Sequence, residues 1–126
     1  MKKMKKNLKI SIIQTTIYWQ DKEKNFAHFK HKIQNINDNV DIIILPEMFN
    51  TGFTLDPEKN FETMQGKTIK WMKNIAQERN CAICGSLIIK ENENNYNRFI
   101  FIHPNGNINH YDKRHLFRMA NEHEYY

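Results

Sequence analysis

The run Asp41-Ile42-Ile43-Ile44-Leu45-Pro46 constrains the fold of this chain more than any other stretch. It is apolar without alternation, so it has no solvent-facing side, and it is too short for a helix. It ends at a proline, which cannot continue a ladder of hydrogen bonds. These traits predict a strand buried on both faces and flanked by helices. Upstream, Leu8 to Thr15 is a β-type run and predicts a first strand. Between the two, Asp21 is placed to cap a helix. Phe26, Phe29, Ile33, Ile36 and Val40 then recur at three- and four-residue steps as one apolar face. A strand, a crossover helix and a second strand favour parallel pairing.

A loop is expected from Glu47 to about Gln65. Gly66 to Asn80 reads as a second helix, burying Ile69, Met72, Ile75 and Ala76. Cys81 to Ile89 reads as a strand, Glu91 to Asn95 as a polar turn, and Tyr96 to His103 as an alternating strand. Pro104-Asn105-Gly106-Asn107 is a tight-turn signal, after which Ile108 to Asp112 returns antiparallel. An antiparallel meander added to a parallel start gives an α/β class with a mixed sheet. No repeat, linker or low-complexity tract divides the chain, so one domain is expected.

With 40% hydrophobic and 26% charged residues, the chain is too apolar for disorder. A net charge of +5 raises the question of nucleic acid, but the lysines are dispersed and four of them fall within residues 1–6. A binding footprint would cluster on one face with recognition elements interleaved, so no nucleic-acid partner is expected. The apolar run after the basic start, Leu8 to Ile13, is short and carries Lys9 and Ser11, which does not make a signal peptide. No stretch approaches membrane-spanning length, and a cytoplasmic location is expected. Cys81 and Cys84 form a C-x-x-C inside an apparent buried strand, without a second pair to complete a zinc site. They read as two small core residues rather than as a redox or metal site.

Two residues carry reactive potential. Glu47 lies immediately after the buried strand, where open α/β sheets place reactive side chains. Pro46 stiffens the strand exit and Gly52 permits a special backbone conformation. Lys113 follows the strand Ile108 to Asp112, and a lysine held near a reacting carbonyl stabilises developing negative charge on oxygen.

The surrounding stretches, Leu45-Pro46-Glu47-Met48-Phe49-Asn50-Thr51-Gly52-Phe53 and Tyr111-Asp112-Lys113-Arg114-His115-Leu116-Phe117-Arg118-Met119-Ala120-Asn121-Glu122-His123, closely resemble the nitrilase (carbon-nitrogen hydrolase) superfamily. The branch they look most similar to is the bacterial omega-amidases. Gly85-Ser86 and Asn97-Arg98-Phe99 are similar too, so the likeness covers nearly all of the chain after Asn7. The resemblance implies an αββα sandwich, of which residues 1–126 would be the N-terminal part, about half, behind a basic tail at 1–7. It implies a Glu-Lys-Cys triad with Glu47 as general base and Lys113 as oxyanion stabiliser, and Glu122 matches a second family glutamate. No metal or organic cofactor is implied. The implied substrates are small amides, monoamides of 2-oxo dicarboxylic acids such as 2-oxoglutaramate, hydrolysed to acid and ammonia. Arg118 is a candidate for contacting such anions, though an exposed surface arginine is the plainer reading. The family's nucleophilic cysteine lies at the end of a later strand, and neither Cys81 nor Cys84 matches it. The isolated chain is therefore expected to be inactive, with a homo-oligomer in the complete family and a complementing C-terminal half as partners. The alternative is a non-catalytic fragment or interaction remnant.

Overall fold

The computed structural model describes residues 7–126, so the basic tail at 1–7 lies outside the described residues except for Asn7. The elements in chain order are β1 (Ile10–Ile12), α1 (Lys22–Gln34), β2 (Ile42–Ile44), α2 (Pro57–Asn60), α3 (Lys67–Arg79), β3 (Ala82–Glu91), β4 (Asn94–Ile102) and β5 (Ile108–Asp112). Two 3-10 turns, Arg118–Ala120 and Glu122–Glu124, follow. The five strands form one sheet in sequence order. β1, β2 and β3 run parallel, joined by helical crossovers, and β3, β4 and β5 form an antiparallel meander.

Ile43 marks the centre of the parallel half. It pairs in register with Ser11 and Ile83 and is wholly buried. Alternation puts Ile43, Ile83, Leu87, Ile100 and Ile102 on one face, packed against Phe29 and Ile33 of α1 and Ile69, Met72 and Ile75 of α3. Asp21 caps α1 by accepting a hydrogen bond from the Lys24 amide at 3.1 Å. Ile36 and Val40 lie past the helix end, which comes at Gln34, yet both still pack partly buried on the core. At α3 the capping group is remote. The Glu62 carboxylate accepts from the Thr68 amide at 2.8 Å, and a Cβ on Gly66 would meet Glu62 Oε1 at 2.5 Å. Glycine leaves room for that carboxylate, and Asn80 ends the helix in the left-handed region at φ 48°.

Three expectations need correction. The first strand is three residues long, not eight, because only Ile10–Ile12 pair in register with β2. The expected loop from Glu47 to Gln65 contains the short helix α2, capped by Asp56, and a parallel bridge from Glu62 to Ile89. The polar turn shrinks to Asn92 and Glu93, at φ 50° and 68°, since β3 and β4 pair as far as Glu91 and Asn94. Two left-handed residues match the twist of a two-residue hairpin.

The expectation that Asp41–Pro46 is buried on both faces holds only on the helix side. Ile42 and Ile44, which face the other way, are part-exposed. On that second face Ile12 is 72% and Tyr111 58% exposed, with Ile10 and Phe99 exposed beside them. The sheet is thus one covered layer and one bare apolar layer, the form that an incomplete sandwich takes. No helix among the described residues is long and apolar enough to cross a membrane.

The two faces give a sharp contrast. Ile43→Ala is expected to cost about 2–5 kcal/mol in urea unfolding, as for a buried large-to-small change. Ile12→Ala, one strand away on the bare face, is expected to stay within about 0.5 kcal/mol. Equal costs would show that the bare face is covered in solution.

Candidate active site

The site is built where β2 leaves the sheet. The Leu45 amide makes the last ladder bond, to Cys84 O at 2.8 Å, and Pro46 then turns the chain away. Met48 adopts φ 47°, uncommon for a residue with a side chain, and β3 holds it there. The Met48 amide donates to Ser86 Oγ at 2.9 Å and the Phe49 amide to Ser86 O at 3.3 Å. Phe49 itself lies against Gly85, where a Cβ would approach its ring to 2.9 Å. Further out, Asn50 Nδ2 donates to Thr68 Oγ1 at 3.0 Å and to Glu62, which is also paired with Lys22 at 3.0 Å. Asn25 donates to Asn50 O at 2.9 Å. Residues 48–51 are therefore buried and clamped, while the Glu47 side chain remains half exposed.

The second component comes from the end of the meander. The Lys113 amide donates to Asn97 O at 2.9 Å, carrying the β4–β5 ladder one residue past Asp112. Behind it Arg98, 1% exposed, grips Asp112 through Nε at 2.6 Å and Nη2 at 3.1 Å, and reaches Glu91 Oε2 at 3.1 Å. That two-pronged contact fixes the strand end from which Lys113 projects.

Glu47, Lys113 and Glu122 meet. Lys113 Nζ lies 2.8 Å from Glu47 Oε1 and 2.9 Å from Glu122 Oε1. Glu122 has no solvent exposure and also accepts from the Phe117 amide at 2.6 Å. Asn97 Nδ2 donates to Glu47 Oε1 at 2.7 Å and to Glu122 Oε2 at 3.1 Å. In the sequence Asn97 stands out only as part of a similar stretch. Its usable signal was a polar side chain on a strand face otherwise carrying Phe99 and Phe101. Ser86, which holds the Glu47 turn, is marked in the sequence in the same limited way.

Burial works on Glu122 to raise its carboxyl pKa. The Phe117 amide, Lys113 and Asn97 outweigh it, and the net effect holds the carboxyl below its ordinary range. Burial likewise works to lower the Lys113 pKa, but hydrogen bonds and charge from Glu47 and Glu122 win and raise it. Lys113 is accordingly a stable cation at neutral pH. The cluster borders a cavity of about 310 Å³ on the bare sheet face, whose other walls include Leu45, Ser86, Phe99 and Tyr111. A carboxylate and an ammonium beside an apolar hollow are equipped to move a proton and to stabilise negative charge on a bound carbonyl oxygen.

Cys81 and Cys84 are buried and line no part of this cavity. Burial pushes both thiols up, Cys84 to about 11, so neither is a ready thiolate. Arg118 is exposed and borders a separate polar recess with Arg114, His115 and His123. Among the described residues no group of three or more His, Cys, Asp or Glu side chains is arranged to hold a metal ion.

Residues 9–126 match the family model described as carbon-nitrogen hydrolase. Over 119 residues the chain is 39% identical to omega-amidase YafV of Escherichia coli, covering 94% of this chain and 46% of that protein. It is 28% identical over 119 residues to 2-oxoglutaramate amidase of Bacillus subtilis, covering 92% of this chain and 46% of that one. Among solved structures, a CN-hydrolase superfamily protein from Xanthomonas campestris with an arsenic adduct in its active site superposes with a TM-score of 0.89. That structure is 35% identical, and the match covers 94% of this chain and 45% of the other. The chain spans about half the length of the curated relatives it matches.

The charge cluster predicts a pH dependence of stability. Glu122 has a lowered folded-state pKa, so its contribution is complete above the unfolded value of about 4.3 and is lost as pH falls through the folded one. Lys113 has a raised folded-state pKa. Its contribution is complete below the unfolded value of about 10.4 and is lost as pH rises through the folded one. Urea unfolding of Glu122→Gln is expected to show a shallower acid limb than the parent. Parallel acid limbs would show that Glu122 is not held as described.

Proposed function

Since the chain belongs to the carbon-nitrogen hydrolase family, we propose that residues 1–126 are the N-terminal part of a single omega-amidase-type hydrolase domain. The observation that carries this reading is Lys113 set between Glu47 and Glu122 at the edge of the cavity. The substrates are monoamides of 2-oxo dicarboxylic acids such as 2-oxoglutaramate. The names of the relatives favour this class.

In this reading the nucleophile is a cysteine thiol supplied from outside residues 1–126, and the high thiol pKa and burial of Cys81 and Cys84 support that assignment. Glu47 takes the thiol proton as sulfur bonds to the amide carbon, and the carbonyl π electrons move onto oxygen. Lys113 stabilises that oxyanion. Glu47 then gives its proton to the departing nitrogen, the C–N bond breaks, and ammonia leaves a thioester. Water attacks the thioester with Glu47 again as base, releasing the acid and restoring the thiol. Glu122 keeps Lys113 charged and in place throughout. No step calls on a metal or organic cofactor. Action in the cytoplasm, self-association of the complete enzyme and completion of the site by a C-terminal half belong to the same proposal.

Purified 1–126 protein is expected to release no ammonia from 2-oxoglutaramate. Fused to the C-terminal half of a related omega-amidase, it is expected to gain activity. Glu47→Gln and Lys113→Ala would then each lower kcat by on the order of 10²-fold or more, the usual scale for a general base or an oxyanion donor. A Glu47→Gln fusion with parental kcat, or turnover by 1–126 abolished by Cys84→Ser, would overturn the mechanism.

A further inference from the structure

We propose that Asn97 is the positioning residue of this site, holding Glu47 by one carboxylate oxygen and leaving the other, Oε2, as the proton acceptor. The inference rests on the reading of Glu47 as the base and adds which atom acts and what selects it. Glu47 Oε1 receives both Asn97 Nδ2, at 2.7 Å, and Lys113 Nζ, at 2.8 Å. Glu47 Oε2 has no hydrogen-bond partner among the described residues. An oxygen that already accepts two charge-assisted hydrogen bonds has little basicity left, so the chemistry falls to its unencumbered twin.

Asn97 commits both protons of its side-chain nitrogen. It is 2% exposed, on β4 opposite Ile88, and a primary amide nitrogen has two protons to give. Nδ2 donates to Glu47 and to Glu122 Oε2 at 3.1 Å, while Asn97 O accepts from the Lys113 amide at 2.9 Å. One residue thereby contacts both carboxylates and the backbone of Lys113. The bond to buried Glu122 serves stability, whereas half-exposed Glu47 is reached by water, so the bond to Glu47 serves orientation. Lys113 reaches Glu47 through a flexible four-carbon stem, and that tether alone would let the carboxylate swing. The amide comes from a strand paired on both sides and sets the second point of a two-point hold.

The neutrality of asparagine also matters. Two carboxylates and one ammonium leave a net single negative charge in the cluster. A second cation in place of Asn97 would cancel it and weaken the base that must accept a proton. An aspartate would add a third negative charge and remove both donors.

The test is NMR on the full 1–126 chain, which needs no turnover. A failure of the amidase proposal therefore shows separately from a failure of this one. In ¹⁵N-labelled protein the two Asn97 Nδ2 protons are expected to be resolved from the bulk side-chain amides and both to shift on acid titration. In Glu47→Gln one of the two should lose its response, and in Glu122→Gln the other. Asn97→Ala is expected to raise the ¹³C titration midpoint of the Glu122 carboxyl by roughly half a unit or more, and Asn97→Ser, which keeps one donor, by less. The wild-type titration stands even if the alanine variant does not fold. Nδ2 protons that respond to neither carboxylate, or a Glu122 midpoint unmoved in a folded Asn97→Ala protein, would overturn the assignment.

Discussion

Glu122 is closed off from solvent, and a carboxylate in that position persists only if donors surround it. It has three: the Phe117 amide, Asn97 Nδ2 and Lys113 Nζ. Much else follows from satisfying that buried charge. Lys113 must leave β5 toward Glu122, so the ladder has to run one residue past Asp112, and Arg98 holds Asp112 there. The ammonium then has room for a second carboxylate, which Glu47 supplies from the far side of β3 and β4. Removing one partner of such a buried set costs far more than the set contributes as a whole, since the remainder is left uncompensated.

The framework that brings Glu47 within reach is a set of packing decisions on both faces of β3. Gly85 admits the Phe49 ring, Ser86 captures the Met48 amide, and the chain between them bends through a left-handed residue. Glu62 ties the same loop to the start of α3 through Thr68 and Asn50. Rigid supports of this kind let a half-exposed side chain keep a defined direction.

The sequence made the parallel start and the meander readable because their signals are local: the apolar run at 41–46, the heptad-like spacing in α1 and α3, and the turn at Pro104–Asn107. It singled out Glu47, Lys113 and Glu122 through their motifs, and those three side chains lie together. It did not disclose that a single amide nitrogen joins Glu47 and Glu122, because the 50- and 25-residue separations involved have no periodicity. The length of β1 was also hidden, since strand ends depend on partners rather than propensity. Helix α2 went unread for a related reason. Four residues carry too little periodicity, and only Asp56 followed by Pro57 marked a start.

The meander has one more implication, for chain entropy. Asn97 and Glu122 are 25 residues apart, and β4 and β5 pair through a short turn, so these parts of the cluster close modest loops. The bonds from Asn97 and Lys113 to Glu47 span 50 and 66 residues. Longer loops surrender more freedom on closing, although the cost grows only slowly with length. The distinction lies less in that increment than in what must dock. The Asn97–Glu122 portion needs β4, β5 and the turns after them, whereas Glu47 arrives only when β2 has found β3. Glu47 is therefore the member of the cluster whose position depends on the sheet being whole, and the geometry of the cluster is tied to the integrity of its longest-range strand pairing.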